Sequence, residues 1–185
     1  MRHLALAFTA LAALTTATAA ESYTIDKAHT AALFKINHLG FSYTWGRFND
    51  VSGTFVWDDA NPAASSVNVL IKADSIDSGN AEKDKHLKSG DFFSVKEFPE
   101  VTFVSKSIAK KGDAFEITGD FTLHGVTKSI TIPVTKMGAG IGPDKKQRIG
   151  FDSQFAIKRS DYGMSFGLPG VGDEVTIIFA SEGVK

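Results

Sequence analysis

The sequence predicts an all-β protein, a closed antiparallel barrel of eight strands with one or two short helices between the third and fourth strands. Three observations predict this fold. Apolar side chains recur at every second position along most of the chain after Glu21, which is typical of strands with one buried face. The pattern falls into about eight runs, the number expected of a small closed barrel. Short stretches rich in Gly, Asn, Asp and Pro separate most of the runs.

The first twenty residues have the three parts of a secretory signal peptide. Arg2 and His3 precede an apolar stretch over residues 4–14, and small residues follow at positions 17–20. This arrangement predicts export and cleavage just before Glu21, which leaves one domain over residues 21–185. The sequence has no cysteine, and no second apolar stretch of spanning length follows, so we expect no membrane span.

The strand runs have consistent faces. Phe34 and Ile36 share one face of the first run, and Val51 and Phe55 share one face of the second. Phe48 is out of phase with the second set, which predicts a bulge at the two residues that follow it. The eight predicted strands span residues 32–39, 46–58, 66–73, 101–108, 114–123, 129–136, 148–158 and 174–182.

Residues 75–99 form a connection too long and too charged for a hairpin. Asn80 is a good helix N-cap, and oppositely charged pairs at helical spacing follow it, so we expect a short helix there. Phe92 and Phe93 come next and predict a flap that packs over something apolar. A loop anchored on an ordinary core is the alternative.

The chain contains 15 Phe but only 3 Tyr, 2 Trp and 3 Met. Phenylalanine has no hydrogen-bonding group, so it lines a dry space without leaving a polar atom unsatisfied. These side chains therefore either fill a packed core or surround an apolar cavity. Composition alone leaves both interpretations open.

Residues 163–167 match the G-x-S-x-G pattern of a hydrolase nucleophile, with Ser165 at the centre. That pattern works at a corner between a strand and a helix of an α/β sheet, whereas the residues after it cannot begin a helix. The histidines lack metal-ligand spacing, and no cysteine accompanies them. We predict no catalytic and no metal site. An enzyme that uses Ser165 or the histidines, acting on a lipid ester, is the alternative.

Three basic side chains are candidates for contact with the head group of a ligand. His86 and Lys88 lie on the predicted helix, where a solvent-exposed face is the alternative role. Arg159 ends an apolar strand face, so it must be paired or lie at the mouth of a cavity, with Asp161 as the candidate partner. The formal net charge is −1, and the sequence has no run of basic residues of the kind that contacts the phosphates of a nucleic acid. Both observations argue against nucleic acid as a partner.

A series of short sequence blocks occurs in order along nearly the whole chain after residue 20. They are YTID at 23–26, FKINHLG at 34–40, GRF at 46–48, SID at 75–77, DKHLKS at 84–89, DFF at 91–93, LHGVT at 123–127, RSDYG at 159–163 and GDEV at 172–175. Together they resemble the YceI-like family, periplasmic proteins with a lipocalin-like barrel that bind polyisoprenoids. The resemblance implies a periplasmic barrel that holds a quinone tail or a polyprenyl carrier lipid. It implies no reaction and no other cofactor.

This resemblance favours a cavity over a packed core for the phenylalanines. We expect the ligand to contact nine strand residues and two flap residues. They are Phe34, Ile36, Phe48, Phe55, Phe103, Phe121, Phe151, Phe155 and Phe179, with Phe92 and Phe93 on the flap. A stress-related structural or interaction protein without a ligand is a further alternative. The sequence does not distinguish a monomer from a homodimer.

Overall fold

A computed structural model describes residues 20–185 of the chain. Residues 1–19, and with them nearly all of the predicted signal peptide, lie outside the described residues. The described part contains eleven strand segments and one α-helix. The strands are β1 (Glu21–Ile25), β2 (Ala31–His38), β3 (Ser42–Phe48), β4 (Val51–Trp57), β5 (Ser66–Lys72), β6 (Ile76–Asp77), β7 (Glu100–Lys111), β8 (Ala114–Leu123), β9 (Val126–Ile141), β10 (Gln147–Lys158) and β11 (Val171–Val184), and the helix is α1 (Ala81–Leu87). None of the helices in residues 20–185 is both long and apolar enough to cross a bilayer.

The eleven segments occupy eight positions in one antiparallel sheet. β1 and β2 share the first position because both pair with β11, with Ile25 opposite Gly183 and Ala31 opposite Ala180. β3 and β4 share the second position, since they pair with β2 and β1. β5 and β6 pair with β4 and β3 and share the third. The strands β7 to β11 fill the other five positions. The pairing of β11 with the first position closes the barrel and confirms the predicted fold.

Each strand position that two segments share is interrupted where the chain leaves the hydrogen-bond pattern of the sheet. Between β1 and β2, a single 3-10 turn over Lys27–His29 is capped by Asp26, whose side chain accepts a hydrogen bond from Ala28 N at 3.1 Å. Between β3 and β4, the chain leaves the strand at Asn49 and Asp50, where the change of phase after Phe48 predicts a bulge. The strand β1, which lies before the 3-10 turn, is not among the eight predicted strands, the first of which corresponds to β2.

The helix α1 lies between the third and fourth strand positions, as the sequence predicts. The side chain of Asn80 accepts a hydrogen bond from Lys83 N at 3.0 Å, which caps the first turn. After Leu87 the chain makes successive turns over residues 88–99, here called the flap, before β7 begins. The helix and the flap together cover one end of the barrel.

The strands bury alternate residues toward the barrel interior, most regularly on β8, where every second residue from Phe115 to Leu123 is buried. The strands β2, β5, β8 and β10 run in the same direction and end at the same end of the barrel. This mouth end carries the β2–β3 turn, the helix with the flap, and the β10–β11 loop. The opposite end carries the connections at residues 58–65, 112–113 and 142–146.

Candidate functional site

The barrel interior contains a large cavity near the mouth end, with a volume of about 580 Å³. We call it the outer chamber. Its walls come from β2 and β3 on one side and β10 and β11 on another, and α1 and the flap cover it. His38, His86 and Phe166 line the chamber and are also exposed on the surface. The chamber therefore opens at the mouth end. Its volume falls in the usual range for small-molecule sites.

A second, smaller cavity of about 110 Å³ lies deeper in the barrel, and we call it the inner chamber. Trp57 and Phe115 pack edge to face at its far side, with ring centroids 4.8 Å apart. The two chambers are neighbours because the same five side chains line both. This boundary ring consists of Ile71, Val101, Phe121, Ile177 and Phe179.

All eleven side chains that the sequence predicts for ligand contact border one of these chambers. The outer chamber has Phe34, Ile36, Phe48, Phe92, Phe93, Phe121 and Phe179 in its lining. The inner chamber has Phe55, Phe103, Phe121, Phe151, Phe155 and Phe179. Their strand faces point inward as the period-two pattern predicts. Contact of these residues with a ligand stays a prediction.

Two interior glycines, Gly46 and Gly119, create room for phenylalanine rings, a feature that composition does not reveal. A Cβ atom at Gly46 would overlap the ring of Phe34, which lies directly opposite on β2. A Cβ atom at Gly119 on β8 would likewise overlap the ring of Phe103 on the neighbouring strand β7. Because the end of each ring occupies the space where a larger residue would place its Cβ atom, the glycine lets the ring pack close to the strand.

The predicted head-group candidates divide into two groups. His86 and Arg159 line the outer chamber, whereas Lys88 caps the C-terminus of α1 and lines neither chamber. Lys83 lines the outer chamber instead, together with Leu87. Lys83, His86 and Leu87 are spaced three and four residues apart, so they share one helix face. This spacing is the sequence signal that identifies Lys83.

Arg159 is buried, with 3% of its surface exposed, and Asp161 is not its partner. Its guanidinium donates to the backbone oxygens of Gly172, Met164 and Val171 at 2.7, 2.7 and 2.9 Å. Asp161 instead lies 3.5 Å from Lys128. The candidate pairing with Asp161 is wrong, because backbone carbonyls satisfy this arginine. The alternative, a place at the mouth of a cavity, agrees with its position in the lining of the outer chamber. Burial lowers the pKa of Arg159, and its positive charge lies beside the chamber.

Three aromatic rings from separate segments meet at the opening of the outer chamber. His86 from α1 and Phe92 from the flap have ring centroids 5.0 Å apart. Phe166 from the β10–β11 loop packs against both, at 5.6 and 5.4 Å. His86 Nε2 also lies 2.9 Å from a carboxylate oxygen of Asp91. Sequence reasoning missed Phe166, since only the tertiary fold brings its loop to the helix.

The structure does not place Ser165 at a strand-to-helix corner. Ser165 is exposed in the β10–β11 loop, and the next regular element is the strand β11. Within the described residues its side chain has no hydrogen bond to a histidine. The G-x-S-x-G match therefore lacks the geometry of a nucleophile elbow.

Asp26, His29 and Glu182 are the one group of potential metal ligands within residues 20–185, with their ligand atoms within 4.8 Å of one another. Arg148 already lies among them, 2.7 Å from Asp26 and 3.1 Å from Glu182. The group is an ion-pair network at the junction of β1, β10 and β11.

Comparison with known proteins gives a consistent assignment. The model of the YceI-like domain matches residues 23–182. "Protein YceI" of Salmonella agona is 42% identical over 184 residues, which cover 98% of this chain and 96% of the relative. The crystal structure of Burkholderia cenocepacia BcnA superposes with a TM-score of 0.79 at 29% identity and covers 85% of this chain and 98% of its own.

A further solved structure is described as a polyisoprenoid-binding domain from Saccharophagus degradans implicated in plant cell wall breakdown. It covers 88% of this chain and 97% of its own, with a TM-score of 0.66 and 17% identity. At this identity the likeness is one of fold.

Proposed function

The chain belongs to the YceI-like domain family, and from that premise we propose that it binds a polyisoprenoid or another long-chain lipid inside its barrel. The observation that carries the proposal is the pair of adjacent apolar chambers. In the inner chamber, sixteen of the twenty lining residues are apolar, and the others are Thr102, Asp152, Ser153 and Ser181. Such a surface offers few hydrogen bonds and a large contact area, which suits a hydrocarbon tail.

Burial of the tail supplies the affinity in this proposal. Each methylene group moved from water to an apolar site contributes about 0.8 kcal/mol. Ten such groups contribute about 8 kcal/mol before the cost of immobilising a flexible chain is subtracted. A prenyl tail therefore binds without specific polar contacts. The structural likeness to the polyisoprenoid-binding domain of Saccharophagus degradans supports the choice of a prenyl tail.

The polar end of the lipid lies at the mouth in this arrangement. Lys83 and His86 are exposed where the outer chamber opens, and both can reach a head group. Arg159 contributes positive charge, while at least three of its N–H groups are already bonded to backbone oxygens. The tail enters first and the head group stays close to solvent.

The proposed setting is the bacterial periplasm. The signal-like residues 1–20 and the family resemblance support export, and a water-filled compartment between two membranes is where a lipid needs a protein to shield it. The chain then sequesters or carries a quinone or polyprenyl lipid and catalyses no reaction.

Uptake of ubiquinone from detergent micelles tests the proposal. Ala32 is buried and lines the outer chamber, so Ala32→Trp fills part of it. Ala156 is exposed on β10 and lines neither chamber, so Ala156→Trp is the matched control. We expect the first variant to take up at least fivefold less quinone and the second to match the parent chain. Equal uptake by two folded variants, or none by the parent chain, overturns the proposal.

A further inference from the structure

Four large apolar side chains are exposed together at the mouth end. Leu39 and Phe41 in the β2–β3 turn are 55% and 87% exposed, and Phe166 and Leu168 in the β10–β11 loop are 47% and 38% exposed. We call these four residues the apolar rim. The two segments touch, since Leu39 N donates to Gly170 O at 2.6 Å. Phe166 also packs on the helix and flap at the opening of the outer chamber.

The β2–β3 hairpin, which carries two of the four rim residues, has no negative charge. Residues 27–49 contain lysine, arginine and histidine but no Asp or Glu. Residues 162–172, which include Phe166 and Leu168, contain no charged side chain, and Asp161 and Asp173 lie on either side of them. The turns at the opposite end of the barrel differ, since they carry Asp58, Asp59, Asp113 and Asp144. The two rim turns themselves are therefore apolar to basic, whereas Glu82, Asp84 and Asp91 of the neighbouring helix and flap carry negative charge at the same end.

The outer face of the β2–β3 hairpin continues this character. Tyr43 and Trp45 are exposed beside the rim, and Lys35 Nζ lies 5.2 and 5.6 Å from their ring centroids. Tyrosine and tryptophan carry an apolar body with a polar tip and are enriched where a membrane meets water. A lysine next to them is placed to meet an anionic phosphate.

We propose that the apolar rim docks on the surface of a lipid bilayer that contains anionic phospholipids, with the mouth of the barrel facing the membrane. Four observations converge on this occupant: exposed apolar turns, absence of carboxylates from the β2–β3 hairpin, flanking basic and interfacial aromatic residues, and continuity with the opening of the chamber. Shallow insertion of apolar side chains combined with attraction to anionic lipids is sufficient for reversible binding. The inference goes beyond lipid binding in the chambers and holds for any cargo that enters from a membrane.

Sedimentation with vesicles tests this docking surface. Vesicles of phosphatidylcholine with about one third phosphatidylglycerol are mixed with the chain that begins at Glu21. The changed variant is Phe41→Asp, which removes the most exposed rim residue and adds a negative charge. The matched control is Ile141→Asp, because Ile141 is 70% exposed at the end of β9, away from the mouth. Neither residue lines a chamber.

We expect the parent chain and Ile141→Asp to bind the vesicles, with at least tenfold weaker partitioning for Phe41→Asp and for vesicles without phosphatidylglycerol. No vesicle binding by the parent chain, or equal loss in both variants, overturns the inference. Self-association that Phe41→Asp abolishes, without vesicle binding, shows that a second copy covers the rim and also overturns it. Quinone uptake from micelles by Phe41→Asp distinguishes failure of membrane docking from failure of lipid binding in the chambers. If the variant takes up quinone normally, the proposed function holds even when docking fails.

Discussion

At the scale of single residues, the pairing of a phenylalanine with a glycine shapes the chamber walls. Phe34 on β2 lies over Gly46 on β3, its register partner. The alternating pattern predicts that Phe34 points inward, and the structure agrees. The pattern does not predict the space beneath the ring, because a glycine in a strand has several explanations.

Gly46→Ala tests this arrangement. A methyl group at this position overlaps the ring of Phe34 and pushes it into the outer chamber. We expect the free energy of unfolding to fall by about 1–3 kcal/mol, as for other overpacked sites. Quinone uptake should fall in the same variant. Unchanged stability in urea unfolding together with unchanged uptake would contradict the assigned packing. Gly138→Ala is the control, since nothing lies near a Cβ atom there.

The boundary ring makes a second prediction at this scale. Phe179 lines both chambers, so Phe179→Ala joins them into one longer space. We expect the variant to favour long-tailed over short-tailed quinones relative to the parent chain, measured by competition between the two in micelles. Phe98→Ala serves as control, because Phe98 packs against His124 and lines neither chamber. A preference unchanged by Phe179→Ala, or altered equally by Phe98→Ala, would show that the two chambers do not act together.

Arg159 illustrates what sequence reasoning could not reach. Its place at the end of an inward-facing series predicts a position at the chamber, which the structure shows. Its partners are backbone oxygens of Met164, Val171 and Gly172. Every residue has a backbone carbonyl, so residue types do not show which carbonyls accept these hydrogen bonds. We infer that this arginine fixes the β10–β11 loop and, with it, Phe166.

Arg159→Gln checks this role. It removes charged hydrogen bonds and leaves buried carbonyls without donors, so we expect a loss of about 2–4 kcal/mol in the free energy of unfolding. Protease cleavage within the β10–β11 loop should become faster. Lys111→Gln is the control, since Lys111 pairs with Glu116 on the exposed β7–β8 hairpin, away from this loop. A variant of Arg159 with parent-like stability and loop protection would refute the role.

At the scale of elements, the seam between β1, β10 and β11 closes the barrel. Asp26 follows β1, Arg148 lies on β10 and Glu182 on β11, and their side chains are paired. Hydrogen bonds from His29 and Arg148 hold the pKa of Asp26 well below its ordinary value. The sequence could not predict that β1 and β2 share one strand position at this seam. Each segment is regular on its own, and only their common pairing with β11 shows that β1 continues into β2.

The seam gives a prediction about pH. A carboxyl group whose folded-state pKa is depressed stabilises the fold at a pH above its unfolded value, near 3.9, and loses this contribution as the pH falls toward the folded value. We therefore expect Asp26→Asn to destabilise the chain at pH 7 and to differ less from the parent at about pH 2.5. Urea unfolding at several pH values measures this difference. A difference that stays constant or grows toward acid would contradict the assigned ion pairing. Asp113→Asn, in an exposed turn, should show no such trend.

At the scale of the whole molecule, eight strand positions surround two apolar chambers and open at one end. Period-two alternation predicts the class and the inward faces, because each strand is long enough to show its phase. The family resemblance favours a cavity, but its volume and its division into two chambers could not be predicted, since they depend on how Phe121, Phe179 and the flap meet across the barrel. The same limit explains the missed contribution of Phe166, whose loop is far in sequence from α1.

The most direct measurement of the central claim is native mass spectrometry of the chain isolated from its export compartment without detergent. The account predicts a bound species whose extra mass equals one prenyl lipid, released as that lipid when the protein is unfolded in organic solvent. Ala32→Trp should reduce this species, and Ala156→Trp should retain it. A measured mass equal to that of the polypeptide alone, with no adduct after incubation with ubiquinone, would contradict the account.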